Sequence, residues 1–178
     1  MIWQCNHKYD GEEKCSTPHL TEDEIKVMFV SAANKLIGKK ATVIAPLRAS
    51  LGIAFDISAL EAEATELQED LMVASDLIQK CIYENAHVAL DQTEYQKRYD
   101  SLTARFYTAK ARLEEIEAVI ADKKSRRAEI EAFLDALAQA DLMEKFDAAL
   151  WCGLVDFVTV YDKDDVRFTF KNGQEIKS

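Results

Sequence analysis

The side chains that could do chemistry are few and scattered along this chain. The three histidines are His7, His19 and His87, and none has a nucleophile or an acid at a spacing typical of a catalytic group. Adjacent carboxylates such as Glu114 and Glu115 fall on the charged face of a predicted helix, where solvation explains their presence. The residue types therefore favour a binding protein over an enzyme, and no catalytic residue is predicted.

Composition and charge narrow the class of protein further. The chain has 178 residues, a net charge of −10, and only 5 Gly and 2 Pro, which is typical of long uninterrupted helices. Its average field repels nucleic-acid phosphate and favours protein partners. The four cysteines do not form the pattern of a disulfide framework, and neither a secretory segment nor an apolar run of membrane-spanning length is present. We expect a cytoplasmic protein with no membrane partner.

The first third of the chain predicts a strand end, a loop and one helix. Residues 1–20 contain a short alternation around Trp3 and then turn residues. Thr21 and Glu24 have the spacing of a capping box, and an apolar stripe then continues at helical spacing as far as Gly38. Pro46 and Gly52 predict an irregular connection after this helix.

The middle of the chain carries two apolar seams with alternating spacings of three and four residues. This heptad pattern predicts two helices, and a connection over residues 85–93 makes them antiparallel. Asp91 and Glu94 form a second candidate capping box at the start of the second helix. The seam residues are Ile57, Leu60, Ala64, Leu67, Leu71, Ala74, Ile78 and Cys81, and then Tyr99, Leu102, Phe106, Ala109, Leu113, Ile116 and Ile120.

The register of the two helices also follows from the seam. Folding the chain back near Val88 places Ala74 opposite Phe106 and Ala64 opposite Ile116, so that small side chains meet large ones. The same fold places Leu71 opposite Ala109 and Leu67 opposite Leu113.

The last third predicts return helices and a β-hairpin. The seam degrades at Lys123 and Arg127, where we expect the second helix to leave its partner, and two further helical patterns cover residues 130–137 and 146–154. Alternating apolar residues from Val158 to Phe170 flank a turn at 162–165, and Asn172-Gly173 predicts a second turn with a type I′ preference. A third strand is needed for stability, and the strand at Trp3 is the candidate.

Two separated segments of this chain resemble the zinc ribbon of large serine recombinases, the phage- and transposon-encoded members of the resolvase/invertase superfamily. In that family a coiled coil is inserted between the two parts of the ribbon, in the order found here. The resemblance covers essentially the whole chain. It is carried by Trp-Gln-Cys at 3–5, Cys-Ser-Thr-Pro-His-Leu-Thr-Glu-Asp-Glu at 15–24, and the closing hairpin at 154–156, 158–160 and 166–173.

The resemblance implies that the chain is a C-terminal fragment of a site-specific DNA recombinase, with its catalytic domain upstream. Cys5 and Cys15 match two of the four zinc ligands, and the other two belong to an upstream cysteine pair that this chain lacks. We therefore expect zinc in the full-length parent and none in this fragment. The implied partners are other recombinase subunits, the DNA attachment site and a directionality factor.

The resulting prediction is a mainly α chain with a small β-hairpin. A long antiparallel coiled-coil hairpin is inserted into a truncated zinc-ribbon-like base. The predicted domains are 1–52 for the ribbon remnant and entry helix, 53–125 for the coiled coil with its tip near 83–95, and 126–178 for the return helices and closing hairpin.

Apolar residues near the tip are the candidates for contact with another subunit, because exposed apolar clusters often mark interaction sites. They are Ile82, Tyr83, Val88, Leu90 and Tyr95. The alternative is that they only cap the end of the hairpin.

Lys8 and Lys14, next to the ribbon remnant, are the candidates for DNA contact, with Lys39, Lys40 and Arg48 as weaker ones. Solvated surface lysines are the alternative. The coiled coil itself, with 14 acidic and 8 basic residues over 57–125, has a net charge of −6 and is not expected to lie along DNA.

A second function remains open, that of a coiled-coil adaptor or structural protein with no link to recombination. Pairing of the Trp3 strand with the Val166 strand is the feature that should separate the two, because a generic adaptor does not need it.

Overall fold

A computed structural model describes residues 1–3, 17–89 and 91–178. Four candidate residues (Cys5, Lys8, Cys15 and Lys14) and the tip residue Leu90 lie outside these ranges. The chain divides into two compact units. One unit, the base, comprises Met1–Ala54 and Arg127–Ser178, and the other, the helical hairpin, comprises Phe55–Arg126. The prediction of a mainly α chain with a small β-hairpin is confirmed.

The first helix of the base, α1 (Glu22–Ile37), begins at the predicted capping box. The Glu24 amide donates to Thr21 Oγ1 at 3.2 Å, and the Thr21 amide donates to Glu24 Oε2 at 2.7 Å. The apolar stripe of α1 is turned into the core of the base. Its buried residues are Ile25, Phe29, Ala32, Ala33, Leu36 and Ile37.

The prediction of an irregular connection at Pro46 and Gly52 is wrong, because a second helix, α2 (Lys40–Ala54), passes through both residues. Proline inside a helix removes one backbone hydrogen bond and costs about 3 kcal/mol. Here the surrounding alanine- and leucine-rich segment favours the helix on both sides of Pro46, and Leu51 is buried. The helix-breaking tendency of Pro46 and Gly52 was outweighed by the helix propensity of their neighbours and by the burial of Leu51.

The sheets pair differently from the prediction. Strands β3 (Val155–Asp162) and β4 (Asp165–Phe170) form the predicted hairpin, but the third strand is β5 (Glu175–Lys177). The order β3-β4-β5 leaves no edge of β4 for the Trp3 strand. Instead, β1 (Ile2–Trp3) pairs with β2 (Leu20–Thr21) in a separate two-stranded sheet. Because β5 follows β4 after a short turn, it is nearer to β4 in sequence than the Trp3 strand is.

The Asn172-Gly173 turn is present but is not of type I′. That type needs positive φ at both central residues, whereas among the described residues positive φ occurs at Gly173 alone, at 80°. The Gly173 amide donates to the Phe170 carbonyl at 2.7 Å, and the Phe170 amide donates to the Gln174 carbonyl at 2.9 Å. This is a type I turn closed by a left-handed glycine with a bulge.

Aromatic side chains fill the core of the base. Phe29 of α1 contacts Phe146, Trp151 and Phe168 with ring centroids 5.7, 5.0 and 6.0 Å away. Edge-to-face packing of this kind adds about 0.5–1.5 kcal/mol per pair beyond the burial of area. The Asn34 amide group closes the same core, because its nitrogen donates to the Met143 carbonyl at 2.9 Å and its oxygen accepts from the Met143 amide at 2.8 Å.

The helices of the hairpin are α3 (Ser58–His87) and α4 (Gln92–Gln139). The predicted separate helix at 130–137 is wrong, since α4 continues without a break and brings buried Phe133, Leu134 and Leu137 into the base. A short helix, α5 (Ala148–Leu154), follows, and Phe146 lies before it. Asp147 caps α5 by accepting hydrogen bonds from the amides of Ala149 and Leu150.

The predicted heptad seam is confirmed by burial. All of the predicted seam residues are buried or half-buried, and Ala64, Ala74, Cys81, Ala109 and Ile116 are buried. Alanines thus alternate with larger residues along the buried seam, as the predicted pairing of small with large side chains requires.

Two glycines of the base provide a matched test of backbone conformation. A methyl group added at either Gly52 or Gly173 meets no atom within 4 Å, so sterics do not distinguish them. We expect Gly173→Ala to lower the free energy of unfolding by about 1–2 kcal/mol because of its left-handed backbone. Gly52→Ala, in a helix interior, should raise it by about 0.5–1 kcal/mol. Urea unfolding followed by circular dichroism measures both, and equal effects would contradict the turn geometry.

Candidate interaction surface on the helical hairpin

The connection between α3 and α4 is short and capped on both sides. The Val88 amide donates to the Glu84 carbonyl at 2.9 Å and ends α3. The Asp91 carboxylate accepts from the amides of Thr93 at 2.8 Å and Glu94 at 3.2 Å, which confirms Asp91 as the N-cap of α4. These hydrogen bonds hold the pKa of Asp91 below its usual value, and the bond from the Glu94 amide has the larger effect, followed by that from the Thr93 amide.

An exposed aromatic pair lies just before this connection. The rings of Tyr83 and His87 stack with centroids 4.1 Å apart and planes 25° apart. His87 Nδ1 lies 2.8 Å from the carbonyl oxygen of Tyr83, so a proton on Nδ1 makes this a hydrogen bond. Sequence reasoning missed the pair, although its spacing of four residues on one helix was a usable signal.

The predicted tip residues fall into two groups. Tyr83, Val88 and Ile82 are 64%, 57% and 47% exposed. Tyr95 is half-buried, and its ring stacks on that of the seam residue Tyr99 with centroids 6.0 Å apart. The Tyr95 side chain is therefore partly covered within its own helix. We define the tip surface as Ile82, Tyr83, His87 and Val88.

One flank of the hairpin is closed by ion pairs between the helices. Arg98 binds Glu84 at 2.8 Å, Arg112 binds Glu63 at 2.8 Å, and Arg105 binds Asp70 through two nitrogens. The carboxylates lie one position before the first residue of each heptad in α3, and the arginines hold the corresponding position in α4. Such pairs fix the antiparallel register. The Arg105 guanidinium keeps the pKa of Asp70 below its usual value.

The basic residues near the base mostly serve the fold. Lys40 Nζ donates to the carbonyls of Ala138 at 3.2 Å and Ala140 at 2.6 Å, where a cation suits the C-terminus of α4. Arg48 binds Asp135 at 2.8 Å. Lys39 is exposed. The structure therefore gives two of the weaker DNA-contact candidates a structural role, and the main candidates, Lys8 and Lys14, lie outside the described residues.

Metal binding and membrane crossing can be addressed for the described ranges only. Within residues 1–3, 17–89 and 91–178, no group of three or more His, Cys, Asp or Glu residues is placed to hold a metal ion. The stretch Lys40–His87 is long and apolar enough to cross a membrane by length and composition, but helices of soluble proteins also meet this criterion.

Comparison with known proteins adds no relative: no family model, no curated protein and no solved structure matches this chain.

The Asp70–Arg105 pair gives a pH-dependent prediction. Because the Arg105 guanidinium holds the folded-state pKa of Asp70 below its value in the unfolded chain, the ion pair stabilises the hairpin above the unfolded-state pKa, and this stability is lost as the pH falls through the folded-state pKa. We expect Asp70→Asn to reduce the difference in melting temperature between pH 7 and pH 3. Thermal unfolding followed by circular dichroism checks this. Asp76→Asn, which alters a carboxylate outside the ion pairs found among the described residues, is the control and should leave the difference unchanged.

Proposed function

We propose that this chain is a non-catalytic assembly module of a site-specific DNA recombinase. In this proposal the helical hairpin contacts another subunit through its tip surface, and the base contributes to binding of the DNA site. The observation that carries the assembly role is the exposure of Ile82, Tyr83 and Val88 together at the capped end of the hairpin. The recombinase itself rests on the resemblance of residues 3–5, 15–24 and 154–173 to the zinc ribbon of large serine recombinases.

The chemistry of the tip surface supports contact with a protein. Exposed apolar and aromatic side chains release water when a partner covers them, and tyrosine is enriched at the centres of protein interfaces. The stacked His87 ring restricts the Tyr83 side chain before any partner binds, which lowers the entropy lost on association. The hairpin as a whole is acidic, which makes DNA an unfavourable partner for this unit.

No catalytic step is assigned to this chain. The resemblance implies that the parent transfers phosphoryl groups through a serine–DNA linkage, with the serine upstream. It also implies a structural zinc in the parent, held in part by Cys5 and Cys15, and DNA contacts near Lys8 and Lys14. Because these residues lie outside the described ranges, no step of the proposal depends on the metal.

The adaptor alternative gains support from one finding. The strand at Trp3 pairs with β2 and not with the Val166 strand, so the pairing that should have distinguished a recombinase from an adaptor is not formed. The assembly role of the tip is common to both functions, and DNA recognition separates them.

Self-association through the tip is tested by light scattering over a concentration series. We expect the native chain to self-associate and the variant Tyr83→Asp, Val88→Asp to be a folded monomer, because a carboxylate in an apolar contact loses its hydration without gaining a partner. Val73→Asp is the matched control, since Val73 is an exposed apolar residue on the same helix away from the tip. Native self-association that survives the tip variant would contradict the assigned surface, and so would a native chain that is monomeric at every concentration.

DNA recognition is tested by selection of duplexes from a random-sequence library with the native chain. Enrichment of one sequence supports the recombinase. Absence of any enriched sequence, with the tip contact intact, favours the adaptor.

A further inference from the structure

A second stripe runs along α3 on the flank opposite the arginine ion pairs. Its residues repeat at the same spacings of four and three as the seam but are offset from it by one residue. None of them is charged, although α3 has many charged residues elsewhere. This stripe, which we call the uncharged flank, consists of Gln68, Met72, Ser75, Gln79, Ile82 and Ala86.

The uncharged flank is not covered by the hairpin itself. Met72 is 70% exposed, and Gln68, Gln79, Ile82 and Ala86 are also exposed. A heptad stripe on a helix that already has a buried seam is typical of a helix that packs against two neighbours. The described chain supplies one neighbour, α4, and leaves the second stripe open.

A cleft of about 210 Å³ marks the middle of this flank. Short side chains create it, because Ser75 of α3 and Thr103 of α4 leave space between the longer Gln79 and Tyr107. Thr103 Oγ1 is buried beside the cleft and has no hydrogen-bond partner in the described part of the chain. A buried hydroxyl without a partner is unfavourable, so a polar side chain that enters the cleft and forms a hydrogen bond with the Thr103 hydroxyl would stabilise the contact.

We propose that the uncharged flank packs antiparallel against the same flank of a second copy of this chain, which forms a four-helix bundle. A two-fold axis beside residue 77 places Met72 opposite Ile82 of the second copy and Gln68 opposite Ala86 of the second copy. Ser75 then faces Gln79 of the second copy, whose amide group enters the cleft. Each layer pairs a large side chain with a smaller or complementary one, and the layers follow the alternation of an antiparallel coiled coil.

Charge favours a second copy at this flank over other contacts between copies. The hairpin has a net charge of −6 over residues 57–125, so two hairpins repel each other in general. The six side chains of the uncharged flank carry no charge, and in the proposed contact the apolar Met72 and Ile82 are buried on both copies. A two-fold contact is isologous, so one favourable pair occurs twice. This inference shares with the proposed function the assembly role and one residue, Ile82. Tyr83 and Val88 belong to the tip surface alone, and Met72 belongs to the flank alone.

The register can be tested by charge complementation, measured as the dimer dissociation constant in sedimentation equilibrium. Met72→Lys and Ile82→Glu each place an introduced charge opposite an apolar side chain at two positions in the symmetric dimer, and we expect each to weaken the dimer by about tenfold or more. The double variant Met72→Lys, Ile82→Glu places opposite charges across the contact twice and should return the constant to within about threefold of the native value. Val73→Lys, at an exposed apolar residue beside the stripe, is the control and should have no effect.

The outcomes separate the two surfaces. A double variant that binds no more tightly than the single variants overturns the flank contact, and so does a native chain that stays monomeric. If Tyr83→Asp abolishes the dimer while Met72→Lys does not, the flank inference fails and the proposed tip contact stands. If Met72→Lys weakens the dimer, the double variant restores it and Tyr83→Asp has no effect, the flank contact stands and the tip contact fails. Circular dichroism confirms that each variant keeps its helical content.

Discussion

The pairing of α3 with α4 depends on one seam of buried residues, in which small side chains occupy defined layers. Ala64, Ala74 and Ala109 are buried in this seam, and arginine ion pairs join the two helices along one flank of it. A larger residue at any of these layers would separate the helices along a full turn. The exposure of the tip and of the uncharged flank follows from the same geometry, because the seam uses the only wide apolar stripe of each helix.

In the base, polar side chains at helix ends hold neighbouring segments together by hydrogen bonds to backbone groups. Lys40 satisfies carbonyl groups at the end of α4, and Asn34 satisfies both backbone groups of Met143. A backbone group left without a partner in such a small core would cost a large part of the stability of the unit. The aromatic cluster around Phe29 then fills the space that these hydrogen bonds enclose.

Features with a local cause could be predicted from the sequence, and features that depend on distant partners could not. The Thr21 capping box and the heptad seam were found because spacing alone determines them. The helix through Pro46 was missed because a proline signal is local, whereas the contacts around Leu51 are not. The third strand was misassigned because strand pairing is not encoded in either strand separately.

The candidate surfaces also combine features that the sequence predicts with features that it does not. The phase of the heptad predicts that Ile82 and Tyr83 are exposed. The stacking of His87 on Tyr83 and the cleft between Ser75 and Thr103 require coordinates, since they depend on side-chain directions and on the distance between helices.

The base is made of two chain segments, and the hairpin, Phe55–Arg126, lies between them in sequence. The second segment of the base is synthesised only after the whole hairpin, whose helical hydrogen bonds join residues close in sequence and whose tip pair, Arg98–Glu84, spans 14 residues. Such contacts form early, so the hairpin should fold first and bring its two strands of chain together, as the 3.3 Å bond from Lys123 Nζ to the Asp56 carbonyl indicates. Once folded, the hairpin holds its own two ends together, which shortens the effective loop between the two segments of the base. Folding of the sheet and aromatic core of the base should therefore follow folding of the hairpin.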